Sequence, residues 1–153
     1  MARPPENPTE DVVGAVVIES ARRFKAALRG IQVLPAWPGE QIEAKSVWCS
    51  EIAADSREVP GFVGDERVIV DEVYAVPWEV EVHDEVTAED TLAELSRIIG
   101  VMDRTLREDP RMGDFPGVTY ALFTTPYKRT VGLSPTGAHG YAQLKQEIVI
   151  RLY

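Results

Sequence analysis

Residues 67–110 read RVIVDEVYAVPWEVEVHDEVTAEDTLAELSRIIGVMDRTLREDP, and within them the spacing of apolar residues changes from two to between three and four. Up to His83 the even positions Val68, Val70, Tyr74, Val76, Trp78, Val80 and Val82 are apolar, whereas Asp71, Glu79, Glu81 and His83 are odd. This alternation predicts a strand over 67–83 with one buried and one wet face. Asp71-Glu72 puts a charge into the apolar phase, which predicts a bulge or bend. Pro77 cannot donate a ladder hydrogen bond, which predicts a sheet edge at that point. At roughly 3.3 Å per residue such a strand reaches about 55 Å. It should therefore bend or project from its domain, and a projecting edge is a natural place for another subunit to pair.

The second half of the stretch predicts a helix. Thr87-Ala88-Glu89-Asp90 resembles a capping box with Asp in the acidic position. Leu92, Leu95, Ile99, Met102 and Leu106 then form one stripe, read as core. Asp103 and Arg107 are four apart in the stabilising orientation. Asp109-Pro110 ends the helix, because the residue before proline is pushed out of the helical region.

Upstream, residues 1–8 contain Pro4, Pro5 and Pro8 and read as a flexible arm, with a single domain over 9–153. A first helix is expected from an N-cap at Thr9, with Val13, Val17, Ala21, Phe24 and Leu28 on one face. Arg22, Arg23, Lys25 and Arg29 complement its negative end, and Gly30 suits a terminating position with φ > 0. Strands are expected at 31–34 and 45–53, and 55–65, with Pro60, Gly61 and Gly64, reads as a loop. Downstream, 118–125 reads as a strand, interrupted by Pro126, and 127–133 as a further one. Ser134 to Gly140 reads as a seven-residue turn, and Tyr141 to Tyr153 as a long last strand. Strands that neighbour each other without an intervening helix are antiparallel by default. The expected fold class is α+β, a mostly antiparallel twisted sheet with two main helices packed on one face.

The chain has 153 residues, 44% hydrophobic and 27% charged, which is the composition of one globular domain. No apolar run reaches the ~18 residues of a membrane span, and Met1 to Glu6 lacks the apolar stretch of a signal peptide. The net charge of −9 argues against general affinity for nucleic acid. That charge is unevenly placed. Residues 51–90 hold thirteen acids and two bases, whereas 111–153 hold two acids and five bases. A solvated acidic surface is one reading, and an acidic side meeting a neighbour's basic side is the other. Arg57 and Arg67 are the bases within the acidic stretch, and Lys128 and Arg129 belong to the basic part. These four, with Asp71, Glu72 and Pro77, are the candidates for a subunit or partner interface.

Catalytic constellations are hard to find. His83 and His139 are the two histidines, and neither has a second His or Cys at metal-ligand spacing in the sequence. Cys49 is the single cysteine, which excludes an internal disulfide framework and a multi-Cys zinc site; it reads as a buried small hydrophobe. There is no Gly-x-Gly-x-x-Gly, no Walker-type loop and no Gly-x-Ser-x-Gly elbow. No catalytic residue, cofactor or metal is expected, and an enzyme is disfavoured.

The helix VVGAVVIESARRFKAALRG, the strand ERVIVDEVYAVPWEVEV, the helix AEDTLAELSRIIGVMDRTLREDP, the strand opening GVTYALF and the last strand YAQLKQEIVIRLY follow one another across residues 9–153. This order resembles the tail terminator (tail completion) proteins of long-tailed bacteriophages, especially those of actinobacterial phages. The resemblance implies a hexameric ring that caps the tail tube, stops its polymerisation and joins it to the neck. The implied partners are further copies of the chain, the tail tube protein and a neck or head-completion protein. Genomic DNA would pass through without specific binding, and the implied location is the virion, with the host cytoplasm during assembly. Asp65 and Glu66, with Asp71 and Glu72, are candidates to line the DNA passage and repel phosphate. Another neck or connector protein is one alternative. A small enzyme or ligand-binding domain, with a cleft around His139, Cys49 or paired carboxylates, is the other.

Overall fold

The computed structural model describes residues 8–39, 41–50, 55–64, 67–113, 115–134 and 137–152, with side chains given for 12–39, 41–50, 71–113, 115–124 and 137–151. Helix α1 (Pro8–Ala27) leads into β1 (Gln32–Leu34), β2 (Lys45–Cys49), β3 (Asp55–Gly64) and β4 (Arg67–Val82). Helix α2 (Ala88–Glu108) follows, then β5 (Val118–Ser134) and β6 (Gly137–Leu152). One six-stranded sheet runs in the order β1-β2-β4-β6-β5, with β3 also paired to β4. Every pairing is antiparallel except β1 with β2. The fold is α+β.

Even positions of β4 and β6 oppose one another, Trp78 with Leu144 and Val76 with Gln146, and they share the face that the helices cover. Trp78 anchors that face. The Phe24 ring of α1 meets it edge-on at 5.1 Å and stacks on Phe123 of β5 at 5.9 Å. Between them lies a buried polar chain. Trp78 Nε1–H donates to Gln146 Oε1 (2.9 Å), Gln146 Nε2–H to Ser20 Oγ (3.0 Å), and the Ser20 hydroxyl to the Val16 carbonyl (2.7 Å). Each of these groups is desolvated, and each is satisfied, which makes the chain stabilising rather than costly.

Helix α2 begins as expected, with Asp90 N–H donating to Thr87 Oγ1 at 3.1 Å. Leu95, Ile98, Ile99, Met102 and Leu106 are buried, but Leu92 is exposed and Thr91 takes its place against the sheet. The cause is Gly140: having no side chain, it lets α2 approach through Thr91 and Leu95. In α1 the expected stripe of Val13, Val17, Ala21, Phe24 and Leu28 is buried together with Val16 and Ser20. The helix begins at Pro8, so Thr9 lies in its first turn rather than before it. Gly30 has φ 76°, the left-handed conformation its position requires.

Several sequence expectations are corrected. The 55–65 stretch is not a loop: β3 pairs with β4 from Asp55–Ala75 to Gly64–Arg67, with a register shift between Pro60 and Val63. The strand pieces 118–125 and 127–133 are one strand, β5, whose register shifts between Thr124 and Lys128, around Pro126. The 134–140 turn is shorter, because β6 starts at Gly137. Asp71-Glu72 makes no bulge, since β4 and β6 stay in register from Val70–Leu152 to Val82–Gly140. Nor is Pro77 on a sheet edge. It pairs with Lys145 of β6 and lies where β2, whose last pair is Cys49–Trp78, hands over to β3, whose first is Asp55–Ala75. The Pro77 carbonyl accepts from Ser50 N–H on that side. Its ring nitrogen therefore occupies a gap between ladders where no donor is required. The arm at 1–7 lies outside the described residues.

Candidate functional site

The helices leave the other face of the sheet open among the described residues, and its polar side chains form a connected surface. Odd positions of β4 and β6 point there. Glu79 is held from two sides: Trp48 Nε1–H donates to its Oε2 at 2.8 Å, and Tyr141 Oη–H to its Oε1 at 2.5 Å. Burial, with Glu79 and then Glu81 adding to it, pushes the Tyr141 phenol well above its usual range, so it stays a donor. Trp48 is buried because Trp37 meets it edge-on at 5.1 Å, while Trp37 itself is 59% exposed. Further along the face, Tyr120 donates to Glu147, and Arg151 Nε–H to Asp71 Oδ1 at 3.2 Å.

At the end of this face Glu81, His83 and His139 come together. The register Val82–Gly140 carries one step further to set His83 opposite His139. Their rings stack at 4.4 Å between centroids with 9° between planes. His83 Nε2 lies 2.9 Å from Glu81 Oε2, and one ligand atom from each of the three residues falls within 4.8 Å of the others. The two histidines are 56 positions apart in the chain, so their meeting is a product of sheet register, which spacing does not reveal. The period-two run up to His83 pointed to its face. The glycines flanking His139 read locally as a turn, which conceals the partner.

Beside the cluster, Lys45 Nζ lies 3.3 Å from Glu85, 3.5 Å from Glu94 and 3.8 Å from Asp84. Partial burial works to lower the Lys45 pKa, but the hydrogen bond to Glu85 and the charge of the three acids raise it on balance. The ammonium thereby ties β2 to the segment entering α2.

No family model matches this sequence, and no curated protein does.

The interface candidates are distributed as follows. Arg57 lies on β3, Lys128 and Arg129 on β5, and Arg67 opens β4 opposite Gly64. Asp71 is engaged by Arg151 of its own chain, and Glu72 accepts from the Tyr74 hydroxyl at 2.5 Å. Pro77 is in the middle of the sheet. Asp65 and Glu66 lie outside the described residues. Surface depressions are also present among the described residues. One, of about 320 Å³, is lined by Arg111, Gly117, Val118, Thr119 and Arg151; another, of about 420 Å³, lies between Arg23, Ala26, Ala27 and Thr105, Glu108, Asp109. Neither takes in His83, His139 or Cys49. No helix among the described residues is long and apolar enough to cross a membrane.

Proposed function

We propose that the chain is a structural subunit of a closed ring that caps the tail tube of a long-tailed bacteriophage, stops tube growth and joins it to the neck. The observation that carries this reading is the charge of opposite sides of the sheet. The border strand β3 holds two acids and one base, whereas the border strand β5 holds two bases and no acid. In the sheet order, β3 borders β4 on one side and β5 is the outermost strand beyond β6 on the other. The charge division seen along the sequence is thus a division across the sheet. An acidic border and a basic border on one subunit favour a head-to-tail contact, and a head-to-tail contact whose rotation closes makes a ring.

Length supports the same reading. Strands β4, β5 and β6 have 16, 17 and 16 residues, or roughly 53–56 Å of extended chain, while the 21 residues of α2 span only about 32 Å. The helices therefore cover part of the sheet's length. The β3–β4 hairpin also runs past Val70–Leu152, the last β4–β6 pair, as a two-stranded ribbon. A two-stranded ribbon is at best marginally stable alone in water, so a neighbouring subunit is a fitting support for it. The element order, helix, strands, helix, strands, is the one that the resemblance to tail terminators implies.

Native mass spectrometry of the chain, alone and with its tail tube protein, tests the proposal. A hexamer in either sample, with tubes capped in electron micrographs, is the expected result. A strict monomer in both, with tubes left uncapped, overturns it.

A further inference from the structure

We propose that Glu81, His83 and His139 form a binding site for a divalent transition-metal ion of the Zn²⁺ type. The site does not depend on the ring reading; it stands at the Val82–Gly140 end of the β4–β6 ladder.

Backbone pairing creates the site. Odd residues of β4 direct their peptide groups away from β6: the His83 N–H donates to the Ala44 carbonyl at 2.8 Å, and the Pro77 carbonyl accepts from Ser50. His83 and His139 are therefore a non-hydrogen-bonded antiparallel pair, the kind that brings facing side chains closest. The Ala138 N–H donates to the Glu85 carbonyl at 3.1 Å, which fixes the chain beyond His83 against the start of β6. On its other flank His139 pairs with Gly132, which has no side chain to crowd the ring. Both imidazoles are thus presented from held backbone.

Among the described side chains of this face, Glu81 is the carboxylate whose hydrogen-bond partner is His83. Its neighbour Glu79 has both oxygens engaged, by Trp48 and Tyr141, and Tyr141 is the residue that sits opposite Glu81. Since the Tyr141 hydroxyl is turned to Glu79, the Glu81 carboxylate is turned to His83. In a tetrahedral site with bonds of about 2.0–2.1 Å, ligand atoms stand roughly 3.3 Å apart. The Glu81–His83 separation is already 2.9 Å, and the widest separation in the cluster, at most 4.8 Å, closes by rotation of side chains at the surface. On binding, the ion takes the place of the direct contact between His83 Nε2 and the Glu81 carboxylate, and each neutral imidazole keeps its N–H on the ring nitrogen that does not face the ion.

The donor set decides the class of ion. Two imidazole nitrogens and one carboxylate suit Zn²⁺, Ni²⁺ or Cu²⁺, whereas Mg²⁺ and Ca²⁺ favour oxygen ligands throughout. The His83 side chain is 38% exposed, so an ion can enter from solvent and keep a fourth position for water.

Titration of tag-free, metal-stripped full chain with Zn²⁺ against a chromophoric chelator tests the site. One Zn²⁺ per chain is expected, unaffected by excess Mg²⁺. His139→Ala and His83→Ala should each weaken it at least about tenfold, the loss common for even a supporting residue of a metal site. Far-UV circular dichroism of the metal-free variants checks that they keep the fold. His139→Asn, which keeps a side chain of similar length, guards against a packing effect. Co²⁺ loading gives an independent readout, the intense visible absorption of a four-coordinate ion, which His139→Asn should abolish. Zn²⁺ affinity equal in the folded variants and the parent chain overturns the proposal, as does a parent chain that retains no Zn²⁺.

Discussion

Gly140 has no room for a side chain. A β-carbon there would stand 2.5 Å from Thr91 Cγ2 and 2.8 Å from Leu95 Cδ1, and both residues are fully buried. Thr91 cannot swing aside, because it is β-branched on a helix and its hydroxyl donates to the Thr87 carbonyl at 2.9 Å. Gly140→Ala should therefore destabilise the fold by about 1–3 kcal/mol, the usual cost of overpacking a core. Combining it with Thr91→Ser removes the nearer methyl and keeps the hydroxyl, so thermal melts should show part of the loss recovered. Gln146 tests the opposite kind of burial. Gln146→Leu keeps the volume but leaves the Trp78 N–H unpaired in the core, which costs about 1–3 kcal/mol. Its urea midpoint should fall, and Trp78→Phe in the same background should restore part of it. Neither residue's role is legible in the sequence. Gly140 reads as the end of a turn, and Gln146 is a polar residue in phase with the apolar Leu144 and Ile148, whose buried partners appear only once pairing with Val76 sets it beside Trp78. The same register brings His139 to His83. All three depend on contacts between distant parts of the chain, which local patterns do not encode.

Elements with strong local signals were legible. Helix α2 has its cap at Thr87 and the Asp103–Arg107 pair at 2.9 Å, as the spacing predicts. Thr87→Ala should cost about 1 kcal/mol, measurable as a lower melting temperature. Helix α1 carries a pH signature that no pattern reveals. The hydrogen bond from Arg22 is the main cause that holds the Glu19 carboxyl down to about 2 from 4.5; burial opposes it, and Arg23 adds to the lowering. A carboxyl depressed in the folded state stabilises it fully above pH 4.5, and that contribution is lost as pH falls toward 2. Stability measured across this range should fall less steeply in Glu19→Gln than in the parent chain. An equal slope would show that other carboxylates govern acid unfolding. The misread elements share a cause. Strands β3 and β5 contain Pro60 and Pro126, and both lie at borders of the sheet where a missing donor and a register shift are tolerated. Proline and glycine look like loop signals locally, and only the place of a strand in the sheet shows that they are compatible with pairing.

At the scale of the molecule, the two charged borders make a claim that charge exchange can test. If β5 of one subunit faces the β3 border of the next, Lys128→Glu with Arg129→Glu puts like charges across that contact. Like charges facing one another at an interface cost several kcal/mol. The variant should lose the hexamer at concentrations where the parent chain keeps it, as read by native mass spectrometry at low ionic strength. Adding Asp55→Lys and Glu58→Lys on β3 reverses the other border and should bring the ring back. The parent ring should also weaken as salt rises, because the Debye length shortens from about 30 Å at 0.01 M to about 10 Å at 0.1 M. Restoration separates a border-to-border contact from a merely damaged subunit, since four substitutions that each harmed folding would not cancel. A parent hexamer that survives Lys128→Glu with Arg129→Glu unchanged would move the contact off the sheet borders. The exposed faces of the two helices, where Ile18 and Leu92 stand uncovered, would then be the surfaces to alter next.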